Sequence, residues 1–355
     1  MKIKDLLKEM IDRNASDLFC RPEARPHLRS DGKIIPLGDK ELTVEDVIVL
    51  VEELTNPKQR ESFKSNLDID FALYSEEFDR RFRVSIFMQR NWPSIAIRNV
   101  SNKVASFEEL GLPAEVLKKL AMETRGLVLL TGSMGSGKST TIASMIDYIN
   151  NTASKHIVTV DEPIEFTFKD KKSFINQRDL GIDVLSYPAA LRSLTLQSPD
   201  VLSIANIRDY ETMSAAMTVA ETGILVLSTL HTINTSQAIE RIINFFPPYQ
   251  HQEVALRLSY LLKGIIALRL VPLKNGLGRV PAYEVMLLTP TMARLIRERN
   301  TLDMLQFIEE GEVFGMQSFN QSLIKLVREN KITEEVAIDA SDNKEEFVLA
   351  LRNTR

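Results

Sequence analysis

The sequence predicts an α/β protein of two parts, a small α+β domain followed by a larger domain built on a parallel sheet. Two observations carry this. The segments "GLVLLTG", "HIVTVDE", "DVLSIAN" and "GILVLSTLH" are short apolar runs separated by helix-length stretches, as expected of strands buried on both faces of a parallel sheet. Ahead of them lie shorter, arginine-rich segments with strand-like alternation. A chain of 355 residues is too long for one small core and suits two domains.

The elements follow in order. Ile3, Leu6, Leu7, Met10 and Ile11 fall at helical spacing and give one apolar face, a core-packing helix. "DLFCRPEARPHLRSDGKIIPL", "DIDFALY" and "RRFRVSIFMQRNWPSIAIRNV" read as strands, the last rich in β-branched and aromatic residues. Residues 1–98 are therefore expected to form the α+β domain, and 99–113, polar and ending in Gly-Leu-Pro, a linker. Residues 114–355 are expected to form the α/β domain, closed by amphipathic helices in "TMARLIRERN", "SFNQSLIKLVREN" and "TEEVAIDA".

Composition narrows the function. With 44% hydrophobic and 26% charged residues the chain is ordinary for a globular protein, and its net charge of -4 argues against nucleic acid as a partner. Its single cysteine, Cys20, permits no internal disulfide and there is no Cys-x-x-Cys pair, so a cytoplasmic home is expected. The first residues mix acids and bases unlike a signal peptide, and no run of about 18 apolar residues occurs, so membrane contact is expected only through partners.

"GSMGSGKST" fits the phosphate-binding pattern G-x-x-x-x-G-K-[ST], directly after the strand Leu127–Leu130 and before the helical pattern of Ile142, Ile146 and Ile149. Glycines let backbone N–H groups curl around phosphates, a lysine supplies charge to the β and γ phosphates, and a hydroxyl can ligate Mg²⁺. Contacts to ATP are thus expected from Gly132, Ser133, Met134, Gly135, Ser136, Gly137, Lys138, Ser139 and Thr140, with Ser139 as the Mg²⁺ ligand. No N-K-x-D motif for guanine is present, so ATP is favoured over GTP.

Further segments resemble one family. "TVDEPIEF", "QRDLGID", "LQSPDVLSIANIRDYETMSAAMTVAETG", "STLHT" and "AIERIINFFP" look like the stations of type II/IV secretion ATPases over nearly the whole chain. The nearest likeness is to the type IV pilus retraction ATPases (PilT/PilU-like), the PilU branch in particular, while "ARLIRE" echoes their C-terminal motif. Assembly and secretion ATPases usually carry a longer N-terminal extension and a four-cysteine zinc element, neither of which is in this sequence. The resemblance implies a homohexamer of subunits that each join a PAS-like domain to a RecA-like P-loop ATPase domain. It implies partnership with an inner-membrane pilus platform protein and with a paralogous retraction ATPase.

It also implies site residues. Arg81, Arg83 and Arg98 match arginines that sense the phosphates, although strand alternation alone would make them a solvated face. Glu165, the last residue of "DEPIE", matches the catalytic glutamate, which would orient or deprotonate the attacking water. His231 matches a histidine that couples the γ-phosphate to the next segment. Two departures stand out: Asn206 occupies the place of a Walker B glutamate beside Mg²⁺, and Ile224 that of a second histidine. The expectation is slow ATP hydrolysis driving pilus retraction. The alternatives are a nucleotide-binding accessory subunit that tunes an active retraction ATPase, and a secretion or pilus assembly ATPase.

Overall fold

The computed structural model describes residues 2–30, 33–100, 104–194, 196–276 and 278–353. The chain divides into two compact units, one of Met1–Lys103 with Pro163–Phe168, the other of Val104–Glu162 with Lys169–Arg355.

The first unit contains α1 (Ile3–Asp12), β1 (Asp17–Cys20), β2 (His27–Ser30), β3 (Lys33–Pro36), α2 (Val44–Leu54), α3 (Pro57–Asn66), β4 (Asp68–Ser75), β5 (Arg80–Gln89) and β6 (Trp92–Val100). Its strands form one antiparallel sheet in the order β3-β2-β1-β6-β5-β4. Strand alternation sends Leu18, Phe82, Val84, Ile86, Ile95 and Ile97 into a core shared with Leu6, Leu7 and Met10 of α1 and Val47, Leu50 and Leu54 of α2. Cys20 lies in that core, 2% exposed, where burial pushes its thiol up to about 12. Capping boxes at Thr43/Asp46 and Asn56/Gln59 start α2 and α3 by satisfying the first free N–H groups.

The second unit runs α4 (Ala114–Ala121), β7 (Gly126–Thr131), α5 (Lys138–Thr152), β8 (His156–Asp161), β9 (Phe174–Asp179), α6 (Tyr187–Leu194), β10 (Val201–Ile204), α7 (Tyr210–Glu221), β11 (Leu225–Leu230), α8 (Thr235–Asn244), α9 (His251–Leu261), β12 (Leu262–Pro272), β13 (Arg279–Leu287), α10 (Pro290–Glu298), α11 (Met304–Glu309), α12 (Phe319–Arg328), α13 (Glu334–Ala340) and α14 (Lys344–Asn353). The sheet order is β13-β12-β7-β11-β10-β8-β9, parallel throughout except for β13. Every residue of β7, β10 and β11 is buried, which explains why their sequences are continuous apolar runs. This is the expected α/β class, with the phosphate loop at the carboxyl end of a central parallel strand, as in RecA-like ATPases.

The domain boundary differs from the one read in the sequence. Residue 98 falls inside β6, which continues to Val100. Residues 104–113 are not a free linker either: Phe107 is 2% exposed and packs, tilted by 48°, against Tyr148 with ring centroids 5.8 Å apart, and Ser144 Oγ donates to the Ala105 carbonyl at 2.8 Å. Polarity suggested a linker, but one aromatic is enough to anchor the segment. Residues 101–103 of the expected linker lie outside the described residues. Among the described residues no helix is long and apolar enough to cross a membrane.

Candidate active site

The phosphate loop joins β7 to α5. Gly132 has φ +144, and a Cβ there would lie 2.5 Å from both the Leu268 carbonyl oxygen and Ser136 Oγ, so no side chain fits. Gly137 caps α5 with φ +99, the left-handed conformation that glycine adopts without strain. Lys138 is buried, and its Nζ donates to the carbonyls of Gly132 at 2.7 Å and Ser133 at 2.8 Å. Burial brings its pKa down to about 8, so the ammonium is poised to gain from an anion beside it. Met134 projects into solvent, 91% exposed, and Ser139 is exposed on the first turn of α5. Ser136 Oγ is buried without a hydrogen-bond partner.

Two neighbouring strand ends complete this side of the unit. After β10, Ala205 N–H donates to the Val160 carbonyl at 3.0 Å, Ile207 N–H to the Thr229 carbonyl at 3.0 Å, and Thr229 Oγ1 to the Ala205 carbonyl at 2.6 Å. These bonds fix Asn206, 7% exposed, so that its Nδ2 donates to His231 Nε2 at 2.9 Å, just beyond β11. Asn206 Oδ1 is buried and has no partner. His231 is solvent-exposed as a residue, yet partial burial, then the charges of Lys138 and Arg208, hold its pKa below the ordinary histidine value. A hydrogen bond with the Gly132 backbone acts in the opposite direction. An imidazole that accepts at Nε2 and titrates low is neutral at neutral pH. Arg208 pairs with Glu162 at 3.4 Å, while Asp209 caps α7 by accepting from Thr212 N–H at 2.8 Å. Asp209 is thereby committed to a helix terminus, three positions beyond Asn206.

The expected arginines sit in the first unit. Arg83 of β5 lies opposite Arg98 of β6, which in turn lies opposite Asp17 of β1, and Asp17 opposite Arg29 of β2. Arg81 precedes Arg83 on the same face, and both alternate with Phe82 and Val84 of the core. Like charges directly across a sheet repel, and here a nearly buried carboxylate compensates: Asp17 accepts from Arg98 Nε at 2.9 Å and approaches Arg29 Nε at 3.4 Å. Glu165 is exposed and belongs to Pro163–Phe168, the segment that groups with the first unit.

The family model for type II/IV secretion system proteins matches residues 1–337. The chain belongs to that family. It is 38% identical over 352 residues to the type IV pilus ATPase PilU of Pseudomonas aeruginosa, covering 99% of this chain and 92% of the relative. It is 39% identical over 347 residues to the type IV pilus retraction ATPase PilT of the same organism, covering 98% and 100%. A crystal structure of the pilus retraction motor PilT with bound ADP superposes with a TM-score of 0.90 at 42% identity, covering 98% of each chain.

Within this family member, sequence reasoning placed the loop, Asn206 and His231 but missed the residues that tie them together. Thr131 Oγ1 accepts from Thr232 N–H at 3.0 Å and lies 2.6 Å from both the carbonyl and the hydroxyl of Thr232. This pins the strand end bearing His231 to the residue preceding Gly132. The available signal was positional: each threonine adjoins a motif residue at the end of a buried strand.

Proposed function

We propose that the chain is a cytoplasmic P-loop ATPase that binds ATP and Mg²⁺, assembles as a homohexamer and powers type IV pilus retraction, and with it twitching motility. The observation that carries this is the convergence, at the carboxyl ends of β7, β10 and β11, of a phosphate loop closed to any side chain at Gly132, a buried Lys138 and the Asn206–His231 pair. The likeness to PilT, a motor whose structure holds ADP, supports the same reading. So does likeness to a twitching motility protein of Neisseria gonorrhoeae, 38% identical over 92% of this chain. The chain would be peripheral to the inner membrane through a pilus platform protein, and would work beside a paralogous retraction ATPase.

The donor set suits Mg²⁺ held mainly by nucleotide. Among the described residues no group of three or more His, Cys, Asp or Glu could hold a metal, whereas Mg²⁺ in such sites takes phosphate and water oxygens plus one or two protein ligands. Ser139 would supply the hydroxyl ligand, and the unpaired Asn206 Oδ1 would accept from the metal's water shell. When bound, Mg²⁺ neutralises charge on the transferring phosphoryl group. Lys138 would exchange its two loop carbonyls for phosphate oxygens, and Arg81, Arg83 and Arg98 would serve as the phosphate-sensing arginines. Glu165 would orient or deprotonate the attacking water, and His231 would read the γ-phosphate. Without the glutamate's charge at residue 206, hydrolysis should be slow.

Asn206 also favours a second reading, a nucleotide-binding accessory subunit that tunes an active paralogue. Mg²⁺-dependent ATP turnover, measured for the chain alone and mixed with a paralogous retraction ATPase, separates the two. Turnover alone supports the motor; binding without turnover until the paralogue is present supports the accessory subunit. No binding in either case rejects both.

A further inference from the structure

The loop after β11 is held from two sides. On one side Thr131 grips Thr232, as described. On the other stand two charged residues of the β12–β13 hairpin, Arg269 and Glu284, neither belonging to a recognised nucleotide motif. Glu284 is 4% exposed, and its Oε1 accepts both the Thr235 N–H at 2.8 Å and the Thr235 hydroxyl at 2.7 Å. At the start of α8, Asn234 accepts from Gln237 N–H at 2.9 Å, and Glu284 satisfies a second of the free first-turn N–H groups at Thr235. A buried carboxylate is a costly way to satisfy one helix N–H and one hydroxyl, and it ties the start of α8 to the hairpin.

Arg269 faces the same way. Ala267 pairs with Glu284 across the hairpin, so Arg269, two residues along, is its diagonal neighbour. Its Nη2 donates to the Ile233 carbonyl at 3.3 Å and to Asp342 Oδ1 at 2.5 Å, and its Nη1 to the Ala340 carbonyl at 2.7 Å. The guanidinium also lies 3.9 Å from the ring centroid of Phe319 on α12. One rigid side chain therefore joins the peptide two residues after His231 to the end of α13 and the turn before α14. The preceding residue, Leu268, brings its carbonyl against the start of the phosphate loop at Gly132. The C-terminal helices are packed on this hairpin as one core, with Phe319, Leu323, Ala337, Phe347 and Leu351 against Ala267, Val271 and Ala282.

We propose that Arg269 and Glu284 are positioning residues that couple the nucleotide state read by the His231 loop to the C-terminal helices α12–α14. The coupling rests on the reading of Gly132–Thr140 and His231 as a nucleotide site. A shift of the loop on gain or loss of the γ-phosphate moves the Ile233 carbonyl and the amide of Thr235. Because Arg269 shares its donors between Ile233 and the Ala340–Asp342 seam, that shift alters how firmly the seam is held.

The test compares hydrogen–deuterium exchange of residues 334–353 in the full chain with Mg²⁺-ADP and with Mg²⁺-AMP-PNP, alongside affinities for both nucleotides. In the wild type, exchange should differ between the two states. In Arg269→Met the difference should fall below about a third of the wild-type value while ADP affinity stays within about twofold, and Arg269→Lys should restore part of it. Glu284→Gln, which keeps the acceptor, should retain the coupling, and Glu284→Ala should lose it. Asp342→Ala removes the acceptor at the far end of the chain of contacts and decides the matter if Arg269→Met fails to fold. Full differences in Arg269→Met and Asp342→Ala, or none in nucleotide-bound wild type, would overturn the proposal. If Lys138→Ala abolishes binding but these variants behave as wild type, only the coupling fails. If the wild type binds neither nucleotide, the functional reading fails and the proposal with it.

Discussion

The side-chain amide of Asn206 meets Nε2 of His231 at 2.9 Å, an uncharged pair at the mouth of the phosphate loop. A glutamate at residue 206 would instead face the imidazole with a negative charge, favouring the imidazolium. In Asn206→Glu, Mg²⁺-dependent turnover should rise by about tenfold or more if the residue acts through the metal's outer shell. Steady-state ATPase assays check this, and unchanged turnover would show a site rebuilt around asparagine.

The same pair sets a pH response. The pKa of His231 is lowered by burial, Lys138 and Arg208, so the folded chain holds a neutral ring where the unfolded chain, at about 6.5, begins to take up a proton. The contribution to stability is therefore complete above about 6.5 and is lost as pH falls through the folded value. By NMR the His231 ring should titrate below the ordinary histidine value in the wild type and at a higher pH in Asn206→Glu than in the wild type.

Gly132→Ala should abolish nucleotide binding. The new Cβ would sit 2.5 Å from the Leu268 carbonyl at a φ of +144, so the loop must abandon its path. Equilibrium binding of a fluorescent ADP should show the loss, and a lower unfolding temperature should accompany it.

Lys138→Ala and Glu165→Gln should fail differently. Removing the lysine takes away a charge aimed at phosphate and should lower turnover by about 10²- to 10³-fold along with nucleotide affinity. Replacing the glutamate should leave affinity unchanged while turnover drops by about 10²- to 10⁴-fold, the range expected for a general base. Paired binding and turnover measurements resolve the two.

Glu284 gives a stability test. Burial raises its pKa, so folding is favoured while the carboxyl is protonated and is penalised as pH rises from about 4.5 through the folded value. Glu284→Gln keeps the acceptor for Thr235 and lacks this penalty, so its unfolding temperature should gain on the wild type as pH rises. Glu284→Ala should cost about 1–3 kcal/mol, because it strands the Thr235 N–H and hydroxyl in the interior. Denaturant unfolding of the three proteins across pH measures both effects.

The parallel core was legible because strands buried on both faces leave no choice but apolar runs, as in Gly126–Thr131 and Leu225–Leu230. The hairpin β12–β13 was not: α9 ends at Leu261 and β12 begins at Leu262, so no turn residue marks where the helix gives way to the strand. Edge strand β9, "FINQRD", is too polar to announce itself. Asn206 and His231 could each be placed at a strand end from sequence, but their contact depends on β10 and β11 being neighbours, which no local pattern encodes. Glu284 did leave a trace, as a lone acid inside the apolar run "PAYEVMLL".

Cys20 carries a practical consequence. With its thiol pushed up to about 12, only about one molecule in 10⁵ presents a thiolate there at pH 7, and the side chain is almost wholly enclosed by the first unit's core. Cys20 should therefore react far more slowly with maleimides than a cysteine introduced at the surface. Single cysteines introduced on α13 and on α4 could carry donor and acceptor dyes directly, so that displacements of the C-terminal helices could be followed by fluorescence in an otherwise unaltered sequence.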